Sequence, residues 1–146
     1  MKAQDIMARN PRCVTPQTSI QEAARLMKSE DVGALPVVES DGSRKLVGIV
    51  TDRDITIRAV ADGRDVGSST VKDVMSKGTA TAKTTDSIDD VMKVMGREQV
   101  RRIPIVDERD QLVGIISQAD VVLKAASDTK SERTLEKISE PGGRHS

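Results

Sequence analysis

GIVTDRD, residues 48–54, and GIISQAD, residues 114–120, follow one pattern: a glycine in an apolar run, a hydroxyl residue, then a carboxylate three positions on. A hydroxyl at that distance from a carboxylate makes a capping box, in which both side chains bond backbone amides at a helix start. The same two groups also suit a ligand, because an ionised carboxylate accepts hydrogen bonds and a hydroxyl both donates and accepts. Glycine at 48 and 114 weakens a strand unless something must come close to its backbone. On these residues alone, cap and ligand site both stand.

Working outward, the motif is part of a duplication. With Pro36 laid on Pro104, Asp5, Met7, Ser19, Ile20, Met27 and Val32 fall on Asp73, Met75, Ser87, Ile88, Met95 and Val100. Beyond the proline, Leu46, Gly48, Thr51 and Asp54 match Leu112, Gly114, Ser117 and Asp120. The change of offset falls between ESDGSRK (39–45) and DERDQ (107–111), turn-rich stretches where a hairpin loop tolerates a difference in length.

Each copy predicts β-α-β-β-α. RCVT (12–15) and TATA (79–82) read as first strands. Ile20, Ala23, Ala24 and Met27 fall on one helical face, as do Ile88, Val91, Met92 and Met95. Ser19 with Glu22, and Ser87 with Asp90, are expected as capping boxes. LPVV with KLVGIV, and IPIV with QLVGII, predict hairpins, and Thr51 and Ser117 open second helices carrying Ile55 and Ile57, or Val121 and Val122. The expected division is a first repeat over 1–60, a linker over 61–70, a second repeat over 71–126 and a polar tail over 127–146. In that tail SERTLEKIS (131–139) has helical spacing. Asp5-Ile6-Met7 and Asp73-Val74-Met75 read as single helical turns leading into the repeats. The fold class is α/β in the broad sense, α+β in arrangement, and the economical way to bury two small sheets is to pack the repeats face to face about an approximate twofold axis.

Composition narrows the function. The 146 residues include no Phe, Tyr or Trp, so the core must be aliphatic and no ring is available to stack on a base. Twenty-three basic residues balance 23 acidic ones, without a basic stripe, and no nucleic-acid partner is expected. Cys13 is the one cysteine and reads as a small apolar residue rather than a reactive thiol, which agrees with a reducing, cytoplasmic setting. His145 is the one histidine and sits in the polar tail. No metal site, no nucleophile with an adjacent base and no GxxxxGK[ST] loop emerges, and no stretch reads as a signal peptide or membrane span. A non-enzymatic protein is expected, with no catalytic residue, catalytic cofactor or membrane partner.

Two β-α-β-β-α units, each with a proline-bearing strand and a closing G-h-h-[ST]-x-x-[DN], resemble paired cystathionine β-synthase (CBS) domains, the Bateman module. The resemblance runs from about Ala3 to Ala125. The stand-alone layout, with DVGALP (31–36) and QVRRIPIV (99–106), is similar to small bacterial proteins of the hypoxic response type. It implies an adenosine ligand, such as AMP or ATP, held in clefts between the repeats. Asp54 and Asp120 would bind ribose hydroxyls, and Thr51 and Ser117 phosphate oxygens. Cys13 and Val14 with Ala34, Leu35 and Pro36 would line one adenine pocket, and Thr81 and Ala82 with Arg102, Ile103 and Pro104 the other. Cys13 stands where the family commonly has threonine, which Thr81 keeps. Arg101 and Arg102 match Gly33 and Ala34, so they are either anion contacts at the second site or a solvated strand end. Arg53 and Arg58 read as exposed residues on a polar face. The function implied is a regulatory sensor, expected as a homodimer with a regulated partner that the residues do not identify. The alternative is a structural dimerisation module with degenerate clefts.

Overall fold

The hydroxyls and prolines punctuate the chain much as their spacing predicts. In the computed structural model, which describes residues 1–132, the order is α1 (Ala3–Ile6), β1 (Ala8–Arg9), α2 (Ile20–Glu30), β2 (Ala34–Ser40), β3 (Ser43–Thr51) and α3 (Asp52–Ile55). A π-helical stretch follows over Thr56–Val60 and a 3₁₀ turn over Val71–Asp73. Then come β4 (Ala82–Lys83), α4 (Ile88–Glu98), β5 (Arg102–Val106), β6 (Leu112–Ser117) and α5 (Gln118–Glu132). This is the expected mixed α+β fold with two repeats. The SERTLEKIS expectation falls mostly outside the described residues.

The long helices show why their boundaries sit where they do. Ser19 Oγ accepts from the Glu22 N–H at 3.0 Å, and Ser87 Oγ from the Asp90 N–H at 3.1 Å. Neither acidic side chain returns the bond, so these are single caps rather than the expected boxes. The remaining free amides at the start of α2 are met by main chain: Ile20 N–H donates to Ser69 O and Gln21 N–H to Val66 O, both at 3.0 Å. Val66 and Ser69, in the stretch expected as a linker, thus close a helix end. Both helices stop at a left-handed residue, Asp31 (φ 55°) and Gln99 (φ 56°), after which Val32 and Val100 amides reach back to Met27 and Met95 carbonyls at 3.0 Å. The inward stripe of α2 is Ile20, Ala23 and Met27; Ala24, expected with them, is exposed at its edge.

The chain divides into two compact bodies that do not coincide with the repeats. One comprises Asn10–Thr79 with Val106–Val113. Its hairpin pairs β2 with β3, Ala34 opposite Thr51 and Val37 opposite Gly48. Single bridges extend it on both sides, Val14 beside Val37 in parallel and Ser76 beside Ile49 antiparallel. RCVT therefore contributes one bridging residue rather than a strand; Pro11 and Pro16 on either side lack the amides a longer ladder needs. The core of this body joins Val14, Ile20, Ala23, Met27, Leu35, Val37, Val50, Ile55 and Ala59 to Val71, Val74 and Met75.

The other body comprises Met1–Arg9, Ala80–Ile105 and the chain from Gly114 onward. Its sheet has the order β1-β6-β5-β4, with Ala8 opposite Ile115 and Arg9 opposite Gly114. TATA narrows to β4, which begins at its last residue. The two bodies are built alike, since Ser76 flanks β3 as β1 flanks β6. The details repeat as well. Ile88 N–H donates to Met1 O as Ile20 N–H does to Ser69 O, and Ala3 N–H donates to Asp86 O as Val71 N–H does to Thr18 O. Each repeat's leading turn is therefore housed in the body that carries the other repeat's sheet.

Val71, Val74, Ala3, Ile6 and Met7 are buried, so the leading turns are core. Ile55 and Val121 are buried as expected, whereas Ile57 and Val122, expected beside them, are 45% and 47% exposed. Among the described residues no helix is long and apolar enough to cross a membrane.

Candidate ligand-binding site

Both motifs lie where a strand hands over to a helix. At the end of β3, Thr51 Oγ1 accepts from the Asp54 N–H and Asp54 Oδ2 accepts from the Thr51 N–H, each at 3.0 Å. At the end of β6, Ser117 Oγ accepts from the Asp120 N–H at 3.0 Å, and Asp120 Oδ2 from the Ser117 N–H at 3.2 Å. These are complete capping boxes, so that reading of the motif holds. It does not exhaust the groups. Each carboxylate uses one oxygen in the cap, and Oδ1 of Asp54 and of Asp120 has no protein partner among the described residues. Both aspartates are half-buried, and Ser117 is only 7% exposed.

The start of the hairpin's other strand completes each motif. Ala34 lies opposite Thr51, and the Asp52 N–H donates to Gly33 O at 2.9 Å. In the second repeat the Gln118 N–H donates to Arg101 O at 2.7 Å. The same backbone bond thus sets the Arg101 main chain beside Gln118, the residue after Ser117. Arg101 is exposed and Arg102 half-buried, and neither guanidinium has a hydrogen-bonded or ionic partner among the described residues.

The residues expected at the adenine pockets divide by exposure. Val14, Leu35, Pro36, Ala82, Ile103 and Pro104 are buried; Cys13 and Ala34 are half-buried and Thr81 exposed. Cys13 Sγ accepts from Arg44 Nη1 at 3.2 Å, and Arg44 Nη2 donates to Pro11 O at 3.4 Å. A surface hollow of about 440 Å³ opens beside Cys13 and Val14, lined also by Arg12, Thr18, Glu22, Arg25, Leu26 and Ser29. It includes neither Thr51 nor Asp54. No local pattern marks Arg44 or Asp52: the partner of the first lies far along the chain, and the motif leaves the position of the second variable.

Both glycines have a physical cause in this region. A β-carbon on Gly48 would stand 2.5 Å from Ser76 O, and one on Gly114 would stand 2.5 Å from Met7 Sδ and 3.0 Å from Ala8 O. What comes close is each body's own leading segment.

Two matched caps at the ends of hairpins agree with what sequence comparison finds. The CBS domain model matches residues 3–60 and 71–127, and the chain belongs to the CBS domain family as a pair of such domains. It is 41% identical over 135 residues to the CBS domain-containing protein YhcV of Bacillus subtilis, covering 92% of this chain and 93% of that one. It is 36% identical over 119 residues to hypoxic response protein 1 of Mycobacterium tuberculosis, covering 82% and 81%. Among solved structures, hypoxic response protein I with two coordinated zinc ions superposes with a TM-score of 0.76 at 36% identity, covering 83% of this chain and 96% of that one. CBSX2 in complex with AMP gives a TM-score of 0.75 at 27% identity, covering 88% and 98%. The CBS domain pair of MJ0100 with 5′-methylthioadenosine and S-adenosyl-L-methionine gives 0.74 at 28%, covering 86% and 99%. Among this chain's described residues there is no group of three or more His, Cys, Asp or Glu that could hold a metal ion.

Proposed function

We propose that this protein is a non-enzymatic regulatory module that binds an adenosine ligand, AMP, ATP or a related adenosyl compound, at its two hydroxyl–carboxylate motifs. In this reading Asp54 and Asp120 accept hydrogen bonds from the ribose diol through Oδ1 while Oδ2 holds the cap. Ser117, with Arg101 and Arg102, takes phosphate oxygens in the second repeat, and the Thr51 hydroxyl stands at the matching position of the first. Cys13, Ala34 and Thr81 offer accessible side chains to the base, while the buried Val14, Leu35, Pro36, Ala82, Ile103 and Pro104 shape its pocket. The observation that carries the reading is the spare oxygen on each capping carboxylate, at a position that occurs twice. The AMP and adenosyl ligands of the two solved CBS pairs support it. The ligand acts by binding one conformation of the module better than another, and the output passes through a cytoplasmic homodimer or a further protein partner.

A second reading, a dimerisation module without a ligand, draws on the exposed Ile57 and Val60 after α3 and Val122 and Leu123 on α5, apolar side chains suited to a second chain. Thermal denaturation with AMP, ATP, NAD and S-adenosylmethionine separates the two. A ligand that binds the native state raises the midpoint, and no rise with any of them overturns the adenosine reading. A freshly purified sample adds a check. With no Trp or Tyr in the chain, a retained nucleobase would dominate its near-ultraviolet spectrum.

A further inference from the structure

We propose that the two motifs select ligands of opposite charge: Ser117/Asp120 takes a phosphorylated adenosine ligand, and Thr51/Asp54 takes one without phosphate, neutral or cationic. This rests on the adenosine reading above and adds the class of ligand at each motif.

The observation is a charge inversion at matched positions. The backbone bonds Asp52 N–H to Gly33 O and Gln118 N–H to Arg101 O are the same bond in the two repeats. They bring the same two side-chain positions together, and the repeats fill them oppositely. In the first, the Asp52 carboxylate lies over Gly33, with Oδ2 only 3.0 Å from where a β-carbon would be. Asp52 Oδ1 accepts from the Arg53 N–H at 2.8 Å, which helps hold the carboxylate at the helix start. In the second, Gln118 is neutral, and Arg101 stands where the first repeat has Gly33. Arg102 follows where the first repeat has Ala34.

Counting Gly33, Ala34 and Thr51 to Asp54, the first set has a formal charge of minus one even with the exposed Arg53 included; Arg101, Arg102 and Ser117 to Asp120 have plus one. The second set also has two guanidiniums without partners among the described residues. A planar guanidinium forks onto phosphate oxygens, and α5 continues from Ser117 for 15 residues, so its aligned dipole adds to the attraction. Beside Thr51, a phosphate would meet the carboxylates of Asp52 and Asp54 with no arginine on the strand opposite. A sulfonium or an uncharged thioether meets no such repulsion.

Calorimetric titration of the full chain with AMP and with adenosine tests this. The wild type is expected to bind one AMP per chain, with affinity that falls steeply when salt is raised from about 0.05 to about 0.5 M, while adenosine affinity stays nearly constant. Arg101→Gly should weaken AMP roughly tenfold and leave adenosine unchanged, which also shows that the variant is folded. Gly33→Arg combined with Asp52→Gln should create a second AMP site. Two equal AMP sites in the wild type, or an unaltered AMP affinity in Arg101→Gly, overturn the charge selection and leave the adenosine reading standing. If AMP, adenosine and S-adenosylmethionine all fail to bind, both fall together.

Discussion

Gly48 lies directly under the carbonyl of Ser76, and the Ile49 and Ser76 amides exchange hydrogen bonds with each other's carbonyls at 3.0 and 2.9 Å. The leading segment of the second repeat is thereby laid on the strand that carries the first motif. Met7 and Ala8 lie against Gly114 in the same manner. The nearest atom differs, however: at Gly48 it is a main-chain oxygen, and at Gly114 the sulfur of a flexible methionine.

Gly48→Ala is therefore expected to destabilise the fold by about 1–3 kcal/mol, as overpacking against backbone does, and Gly114→Ala by less, because Met7 can turn partly aside. Urea titration of the two variants checks the order. A larger loss in Gly114→Ala would contradict the contact described.

Asp120 bonds the Ser117 amide and presents a second oxygen, so two substitutions separate its roles. Asp120→Ala should cost about 0.5–2 kcal/mol of stability through the lost cap and weaken adenosine-ligand binding by roughly 1–3 kcal/mol. Asp120→Asn keeps an acceptor for the cap and should retain most of the stability while still losing affinity. Denaturation and calorimetry on the same pair give both quantities, and equal stability losses would show that the charge itself matters to the cap.

Ile103 is fully buried and Leu35 is 2% exposed, in an interior without a single aromatic ring. Ile103→Ala and Leu35→Ala should each cost about 2–5 kcal/mol, measured by chemical denaturation. Losses below about 1 kcal/mol would mean that the aliphatic core closes over the missing methyl groups.

A chain starting at Asn10 would lose buried Ala3, Ile6 and Met7 together with β1 and the Met1 carbonyl that caps α4. The apolar burial alone suggests a loss of roughly 3–6 kcal/mol. Hydrogen exchange should find that loss concentrated in Ala80–Ile105 and the segment after Gly114, with Asn10–Thr79 protected.

The hairpins and the serine caps were legible in the residues because each depends on near neighbours: unbroken apolar runs such as LPVV and IPIV followed by polar turns, and an oxygen three residues before an amide at Ser19 and Ser87. The Thr51 and Ser117 motifs were legible as caps and as candidate sites, and the structure realises the cap without using up the carboxylates. The glycines mark points of close approach, and what approaches is part of the same chain. No local pattern announces that Val71 to Met75 pack under the first repeat's sheet, because their helical turn and apolar spacing would serve equally well beside their own repeat. The π-helical turn at Thr56–Val60 was unforeseen for a related reason: its bonding differs from an α-helix by one register step that composition does not mark. RCVT had the composition of a strand, and its flanking prolines limited it to one bridge.

The exchange of leading segments bears on how the protein is made. A ribosome releases Met1–Arg9 ahead of their hydrogen-bonding partners, since Thr84, Asp86 and Ile88 and then the strand around Ile115 are synthesised much later. The body built from Asn10–Thr79 has most of its residues as soon as that stretch emerges, while the nine residues ahead of it must wait, exposed and unpaired, for the second half of translation.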